Sequence, residues 1–93
     1  MCTGIVETAP VTGSGKGPQG WFKLEEVNVS YDHPTDARLE HALNIDFVNP
    51  RDGPAARVAV ELDRESAKKL VHAIMIVLSR GEIIYSSIKS AQS

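Results

Sequence analysis

Two hydrophobic periods follow one another along this chain, and their order most constrains the fold. The segments 21–31, 43–47 and 58–62 alternate apolar and polar residues, which is typical of strands that bury one face. After Asp63 the apolar residues recur at spacings of three and four, the period of a helix. Strands followed by a single helix predict an α+β domain rather than a sheet of βαβ units.

The helix has a recognisable start and a predicted end. Asp63 is placed as the N-cap, Glu65 lies in the first turn, and Gly81 follows Arg80 as a terminator, so we predict a helix over roughly residues 64–80. Its core stripe is expected to lie across the apolar face of the sheet. That stripe consists of Ala67, Leu70, Val71, Ile74, Val77 and Leu78.

The rest of the chain predicts a four-stranded antiparallel β-meander within one domain, residues 1–93. The glycine-rich segment 12–20 is expected to be a flexible connection between the first two strands. Pairing the last two strands by their apolar positions places Ile45 opposite Val58, and Asp46 opposite Arg57 as an ion pair. The tail, residues 82–93, is consistent with a short strand, a swapped segment or frayed ends.

Composition excludes several classes of function. The net charge is −2 and the ten basic residues are dispersed, whereas nucleic-acid binding usually needs a concentrated basic patch. The longest apolar run, residues 73–78, is far shorter than the roughly 20 residues of a membrane span. The start lacks a basic region followed by an apolar stretch, and a single cysteine cannot form an internal disulfide, so we expect a cytoplasmic protein. The second half of the helix is apolar nearly all round, which predicts a homodimer formed through the C-terminal helix.

The segment 31–41 carries the candidate chemistry, because it places two of the three histidines near three carboxylates between two predicted strands. Imidazoles and carboxylates bind divalent metals such as Zn²⁺, Fe²⁺ or Mn²⁺, and they transfer protons near neutral pH. The spacing matches no established zinc pattern, and no other cofactor is expected. Candidate acid/base residues are His33, His41 and Tyr31; candidate metal ligands are His33, Asp36, Glu40, His41 and Cys2.

Other interpretations of these residues stay open. His33 also fits an ordinary loop histidine, and His41 fits a buried ring whose nitrogen bonds to a backbone carbonyl or to Tyr31. If Met1 is removed, Cys2 carries a thiol and a free α-amine, a pair that chelates metals or acts as a self-activated nucleophile; otherwise it is an inert thiol. The first hypothesis is a metal-dependent or acid/base site for a small molecule. Its alternative is a non-catalytic dimeric binding or structural module.

Several motifs together identify a resemblance that covers most of the chain. They are Met1-Cys2-Thr3, Tyr31-Asp32-His33-Pro34, Glu40-His41-Ala42-Leu43-Asn44-Ile45-Asp46-Phe47 and Ala56-Arg57-Val58-Ala59-Val60-Glu61-Leu62. This pattern resembles a family of short actinobacterial proteins known only as a domain of unknown function, which implies compactness but no reaction. In that family a second histidine often stands three positions after the one matching His33. Asp36 occupies that position here, so a metal centre would gain a carboxylate ligand, and a proton relay would lose an imidazole.

Overall fold

The computed structural model describes the backbone of residues 4–91 and the side chains of residues 4–88. It confirms the α+β class and the antiparallel meander, with each strand paired to the next in the order β1-β2-β3-β4. A short 3₁₀ turn lies between the last two strands, and a single helix follows the sheet. The elements are β1 (Ile5–Gly17), β2 (Gly20–Asp32), β3 (Ala42–Val48), the 3₁₀ turn (Pro50–Asp52), β4 (Arg57–Leu62) and α1 (Arg64–Ala91).

The glycine-rich segment differs from its predicted role as a flexible connection. Residues 12–17 complete β1, and only Pro18 and Gln19 separate it from β2. Gly17 in this segment serves close packing instead. A Cβ atom at Gly17 would lie 2.9 Å from the carbonyl oxygen of Ala55 and 3.3 Å from that of Arg57. The end of β1 therefore approaches the start of β4, which is possible only because no side chain stands between them.

The register of β3 and β4 is shifted by two residues from the prediction. Ile45 lies opposite Val60 rather than Val58, and because the shift is even, the apolar residues keep the predicted face. Asn49 sets this register, since its backbone N–H donates to the carbonyl of Ala56 at 3.0 Å and closes the turn. The predicted ion pair forms along a diagonal instead, with 2.7 Å between Nη2 of Arg57 and Oδ1 of Asp46.

The helix starts where predicted and ends later. Oδ1 of Asp63 accepts a hydrogen bond from the backbone N–H of Ser66 at 2.7 Å, which is an N-cap. The predicted end at residue 80 is wrong, because α1 continues through Gly81 to Ala91. A glycine inside a helix costs only about 1 kcal/mol, which does not end a helix flanked on both sides by helix-compatible residues. The part of the tail over 82–91 is therefore helical, and residues 92–93 lie outside the described backbone.

The helix does not lie across the sheet as predicted. β4 ends at Leu62 and α1 begins at Arg64, and a connection of one residue is too short to turn the helix back over the sheet. The molecule is accordingly elongated: its radius of gyration is 16.4 Å, against about 12 Å for a compact chain of this length. By length and composition alone, residues 64–88 would suffice to cross a membrane.

The described residues contain very little core. The buried hydrophobic residues are Ala42, Ala56 and Ala67, and no large side chain among them is fully buried. The predicted core stripe of the helix beyond Ala67 is 39 to 68% exposed. Folded domains of this size normally bury several large aliphatic or aromatic side chains. A single copy therefore leaves most of the apolar surface of its helix in contact with water.

Candidate functional site

The candidate site lies where the connection between β2 and β3 leaves the sheet. Asp32, the last residue of β2, pairs with Ala42, the first residue of β3. The next residues outward, His33 and His41, are therefore brought side by side although eight positions separate them. This closeness follows directly from the antiparallel pairing of the two strands.

Three aromatic rings form a continuous stack at this edge. The ring centroids of His33 and His41 lie 5.0 Å apart, with 24° between the ring planes. The ring of Tyr31 also stacks with that of His41, at a centroid distance of 5.8 Å and an interplanar angle of 17°. His33 is exposed, whereas His41 and Tyr31 are half-buried. The stack thus extends from the rim of the sheet into solvent, and its outermost imidazole is accessible to a ligand.

Glu61 fastens the loop that carries the histidines. Its carboxylate accepts hydrogen bonds from three consecutive backbone N–H groups: Thr35 at 2.5 Å, Asp36 at 3.0 Å and Ala37 at 3.0 Å. These hydrogen bonds, the one from Ala37 foremost, lower the pKa of Glu61 below its ordinary value of 4.5. Glu61 belongs to β4 and lies opposite Asn44 of β3. The loop is therefore held against the polar face of the sheet by a charged acceptor.

The structure brings some predicted site residues together and not others. His33, His41 and Tyr31 meet in the ring stack. Asp36 belongs to the part of the loop that is fastened to Glu61, and within the described part of the chain no three His, Cys, Asp or Glu side chains are grouped closely enough to hold a metal ion. Asp36 and Glu40 thus do not complete a three-ligand set with the imidazoles, and Cys2 lies outside the described residues.

A polar hollow adjoins the outer histidine. It has a volume of about 100 Å³, and His33, Asn44, Asp46, Arg57 and Glu61 are among the residues that line it. Oδ1 of Asn44 is buried and has no hydrogen-bond donor within the described residues. A buried acceptor without a donor favours the binding of a water molecule, or of a ligand that has a hydroxyl or amine group.

Sequence reasoning missed Glu61, although one signal pointed to it. The alternation in 58–62 places Glu61 on the polar face near the end of its strand. In an antiparallel pair this end lies beside the start of β3, where the loop that carries the histidines ends. Its three donors lie 24 to 26 positions earlier in the chain. A local pattern cannot show such a pairing, because it depends on how the loop folds back over the sheet.

Replacing Glu61 by glutamine is expected to release the loop. The amide N–H groups of Thr35, Asp36 and Ala37 should exchange with solvent at least about tenfold faster, because an amide oxygen accepts more weakly and its NH₂ group repels the donors. Since the pKa of Glu61 is lowered, the fastening is complete above pH 4.5 in the unaltered protein and is lost as the pH falls through the lower value. Hydrogen exchange measured by NMR checks both effects. Glu7→Gln, which removes the same charge from an exposed position, should leave the exchange rates of these three amides unaltered.

A family model described as "Family of unknown function (DUF6295)" matches residues 1–85. No curated protein and no solved structure matches this chain.

Proposed function

The chain belongs to DUF6295, a family of unknown function. From the geometry of this member we propose that His33 and His41 bind a divalent transition metal. The bound metal would present a small-molecule ligand to the adjoining hollow. The observation that carries the proposal is the distance of 5.0 Å between the two imidazole centroids. Imidazole nitrogens are common ligands of Zn²⁺, Fe²⁺ and Mn²⁺.

The two imidazoles must rearrange to share a metal. In the stacked arrangement the rings overlap, whereas two nitrogens that bind one ion must each approach it to about 2.1 Å. Metal binding would exchange the present contacts of exposed His33 for a metal–nitrogen bond, through rotation to another staggered rotamer. Half-buried His41 has ring contacts with both His33 and Tyr31. We therefore assign His41 as the fixed ligand and His33 as the ligand that closes on the ion.

Further ligands would come from the N-terminal segment and from solvent. The sequence offers Cys2 as a further ligand. A thiolate joining two imidazoles gives a ligand set suited to Zn²⁺. Water in a remaining position could donate a hydrogen bond to the unpaired Oδ1 of Asn44, which lines the same hollow as His33.

The third histidine provides a matched control for the metal proposal. His72 lies on the exposed surface of α1, remote in sequence from the site. We expect titration of untagged protein with Co²⁺ to give d–d absorption bands, and His33→Ala and His41→Ala each to weaken binding by roughly 100-fold or more. His72→Ala should bind as the unaltered protein does. Cys2→Ser should remove thiolate-to-cobalt charge-transfer absorption in the near ultraviolet, if Cys2 is a ligand.

Two outcomes contradict the metal proposal. One is the absence of saturable binding of Co²⁺ or Zn²⁺ up to millimolar concentration. The other is equal affinity in the unaltered protein and in a chain that carries both His33→Ala and His41→Ala. Circular dichroism of each variant, compared with that of His72→Ala, separates loss of a ligand from loss of the fold.

A further inference from the structure

We propose that helix α1 pairs with α1 of a second copy of this chain, and that the two helices run antiparallel. This proposal is independent of the metal site, because it rests on the helix alone. Ala67 is the buried hydrophobic residue among the described side chains of α1, and the apolar residues that follow it are largely exposed. A helix of 28 residues is thus fastened to its own sheet only near its beginning.

A heptad repeat extends along the exposed helix. Residues at two positions of the repeat alternate at spacings of three and four from Ala67 to Ile88, and a third apolar row lies beside them. A strict repeat of seven is typical of helices that pack against other helices over several turns. The three rows form the apolar stripe of α1: Ala67, Ile74, Gly81 and Ile88; Leu70, Val77 and Ile84; and Val71, Leu78 and Tyr85.

One antiparallel alignment pairs large side chains with small ones along this stripe. Ile74 then lies opposite the partner's Val77. In the neighbouring layer Leu70 lies opposite the partner's Gly81, and in the next Ala67 lies opposite the partner's Ile84. The Leu70 and Ala67 layers each combine a large side chain with a small one, which favours close packing, and the Ile74 layer pairs two branched aliphatic side chains. A parallel pairing in register would instead place Gly81 against the partner's Gly81 and leave a gap.

The same alignment makes the flanking charges complementary. Lys68 comes beside the partner's Glu82, and the two-fold axis repeats the contact from the other side. In a parallel pairing these residues would stand about 21 Å apart, because 14 helical residues separate them at 1.5 Å each. Charge and volume therefore favour the same orientation.

The alignment also brings the end of the partner helix to an open hollow. This hollow, of about 360 Å³, lies where α1 leaves the sheet and is lined by Tyr31, Leu43, Arg64, Ala67 and Lys68. The partner's Ile84 and Ile88 would reach it. Eight large apolar side chains of the stripe are each 39 to 68% exposed and therefore available to an interface, and a stable interface of standard size takes about 800 Å² from each partner.

The charges on α1 favour a second copy over a lipid bilayer as the occupant of the stripe. Arg80 and Glu82 lie near the middle of the helix, together with Ser79, and outside the apolar stripe. A membrane span would place both charges close to the centre of the hydrocarbon, where each costs several kcal/mol. Pairing of two helices leaves them at the edge of the interface in water.

Sedimentation velocity of the full chain tests whether the stripe associates. The unaltered protein is expected to sediment as a species of twice the chain mass of 10.1 kDa. Val77→Asp places a charge in the middle of the stripe and should weaken association at least about 100-fold. Val77 is 68% exposed in the single chain, so the sheet should fold unchanged, as circular dichroism will show. Ser79→Asp, which adds the same charge outside the stripe, should leave association unaltered.

Two measurements test the orientation. Lys68→Glu and Glu82→Lys should each weaken the dimer roughly five- to tenfold, and the chain that carries both changes should recover most of the affinity. In a Cys2→Ser background, Leu70→Cys chains mixed with Gly81→Cys chains should form a disulfide-linked pair, whereas Leu70→Cys chains alone should not.

Several results would overturn this proposal. A monomer at about 100 µM, or equal association of the Val77→Asp and unaltered proteins, would refute the helix interface. Disulfide formation by Leu70→Cys chains alone would establish a parallel pairing. Flotation of the unaltered monomer with phospholipid vesicles would make a membrane the occupant of the stripe. None of these results depends on whether His33 and His41 bind a metal.

Discussion

Replacing Asn49 by aspartate is expected to destabilise the fold by about 3 kcal/mol at pH 7. Among the described side chains Asn49 is the buried polar one, and it ties β2 to the turn between β3 and β4. Its Nδ2 donates to the carbonyl of Lys23 at 3.0 Å, and its Oδ1 accepts from the N–H of Arg51 at 3.1 Å. A carboxylate keeps the acceptor but places a charged oxygen against the Lys23 carbonyl without any donor.

The pH dependence of this variant distinguishes a lost donor from a general disturbance. Burial beside a carbonyl oxygen raises the pKa of the introduced carboxyl, and its protonated form again has an O–H that donates. The stability difference from the unaltered protein should therefore be small at low pH and should grow as the pH rises through that raised pKa. Urea unfolding followed by circular dichroism at several pH values measures the difference.

The matched control for this change is Gln19→Glu, which adds the same charge in the exposed turn between β1 and β2. It should shift stability by no more than about 0.5 kcal/mol at any pH. A stability difference for Asn49→Asp that is the same at pH 4.5 and pH 8 would show that the hydrogen bond to Lys23 does not fix this turn.

The second large effect is expected for Gly17→Ala. The added Cβ would lie 2.9 Å from the carbonyl oxygen of Ala55 and 3.3 Å from that of Arg57, and backbone atoms cannot move aside independently. Overpacking of this kind costs about 2 kcal/mol, which corresponds to a fall of roughly 10 °C in Tm for a domain of this size. Thermal unfolding followed by circular dichroism measures the shift.

Gly13→Ala is the control, because it lies in the same strand and its Cβ would meet only Leu24 Cδ1, at 3.8 Å. That is an ordinary van der Waals contact, so stability should stay the same or rise slightly as the unfolded chain loses freedom. Equal Tm values for the two alanine variants would mean that β1 and β4 do not approach closely at Gly17.

The sequence predicted those parts of the fold that depend on local patterns. Alternation in 43–47 and 58–62 predicted two strands and the face on which their apolar side chains lie. Both survive a register shift of two residues, because side chains alternate with the same period. The register itself depends on a contact between Asn49 and Ala56. Likewise the cap at Asp63 predicted where the helix begins, whereas its position relative to the sheet depends on the length of a connection.

The candidate site divides in the same way. The closeness of His33 and His41 follows from two strands that pair at their ends, which the sequence predicted. The position of Asp36 does not follow from this strand pairing. Glu61, which is distant in sequence, accepts hydrogen bonds from the backbone N–H groups of the loop, that of Asp36 among them. A short spacing in sequence indicates that side chains can meet, but hydrogen bonds from elsewhere in the fold decide whether they do.

The absence of a large, fully buried side chain among the described residues has a thermodynamic consequence. The heat capacity increase on unfolding comes mainly from apolar surface that becomes hydrated. In the proposed dimer a share of that surface is covered only when the helices associate, so the matching part of the increment belongs to the assembly rather than to the isolated fold. Its stability is then a function of how much protein is present, and one melting temperature describes one concentration.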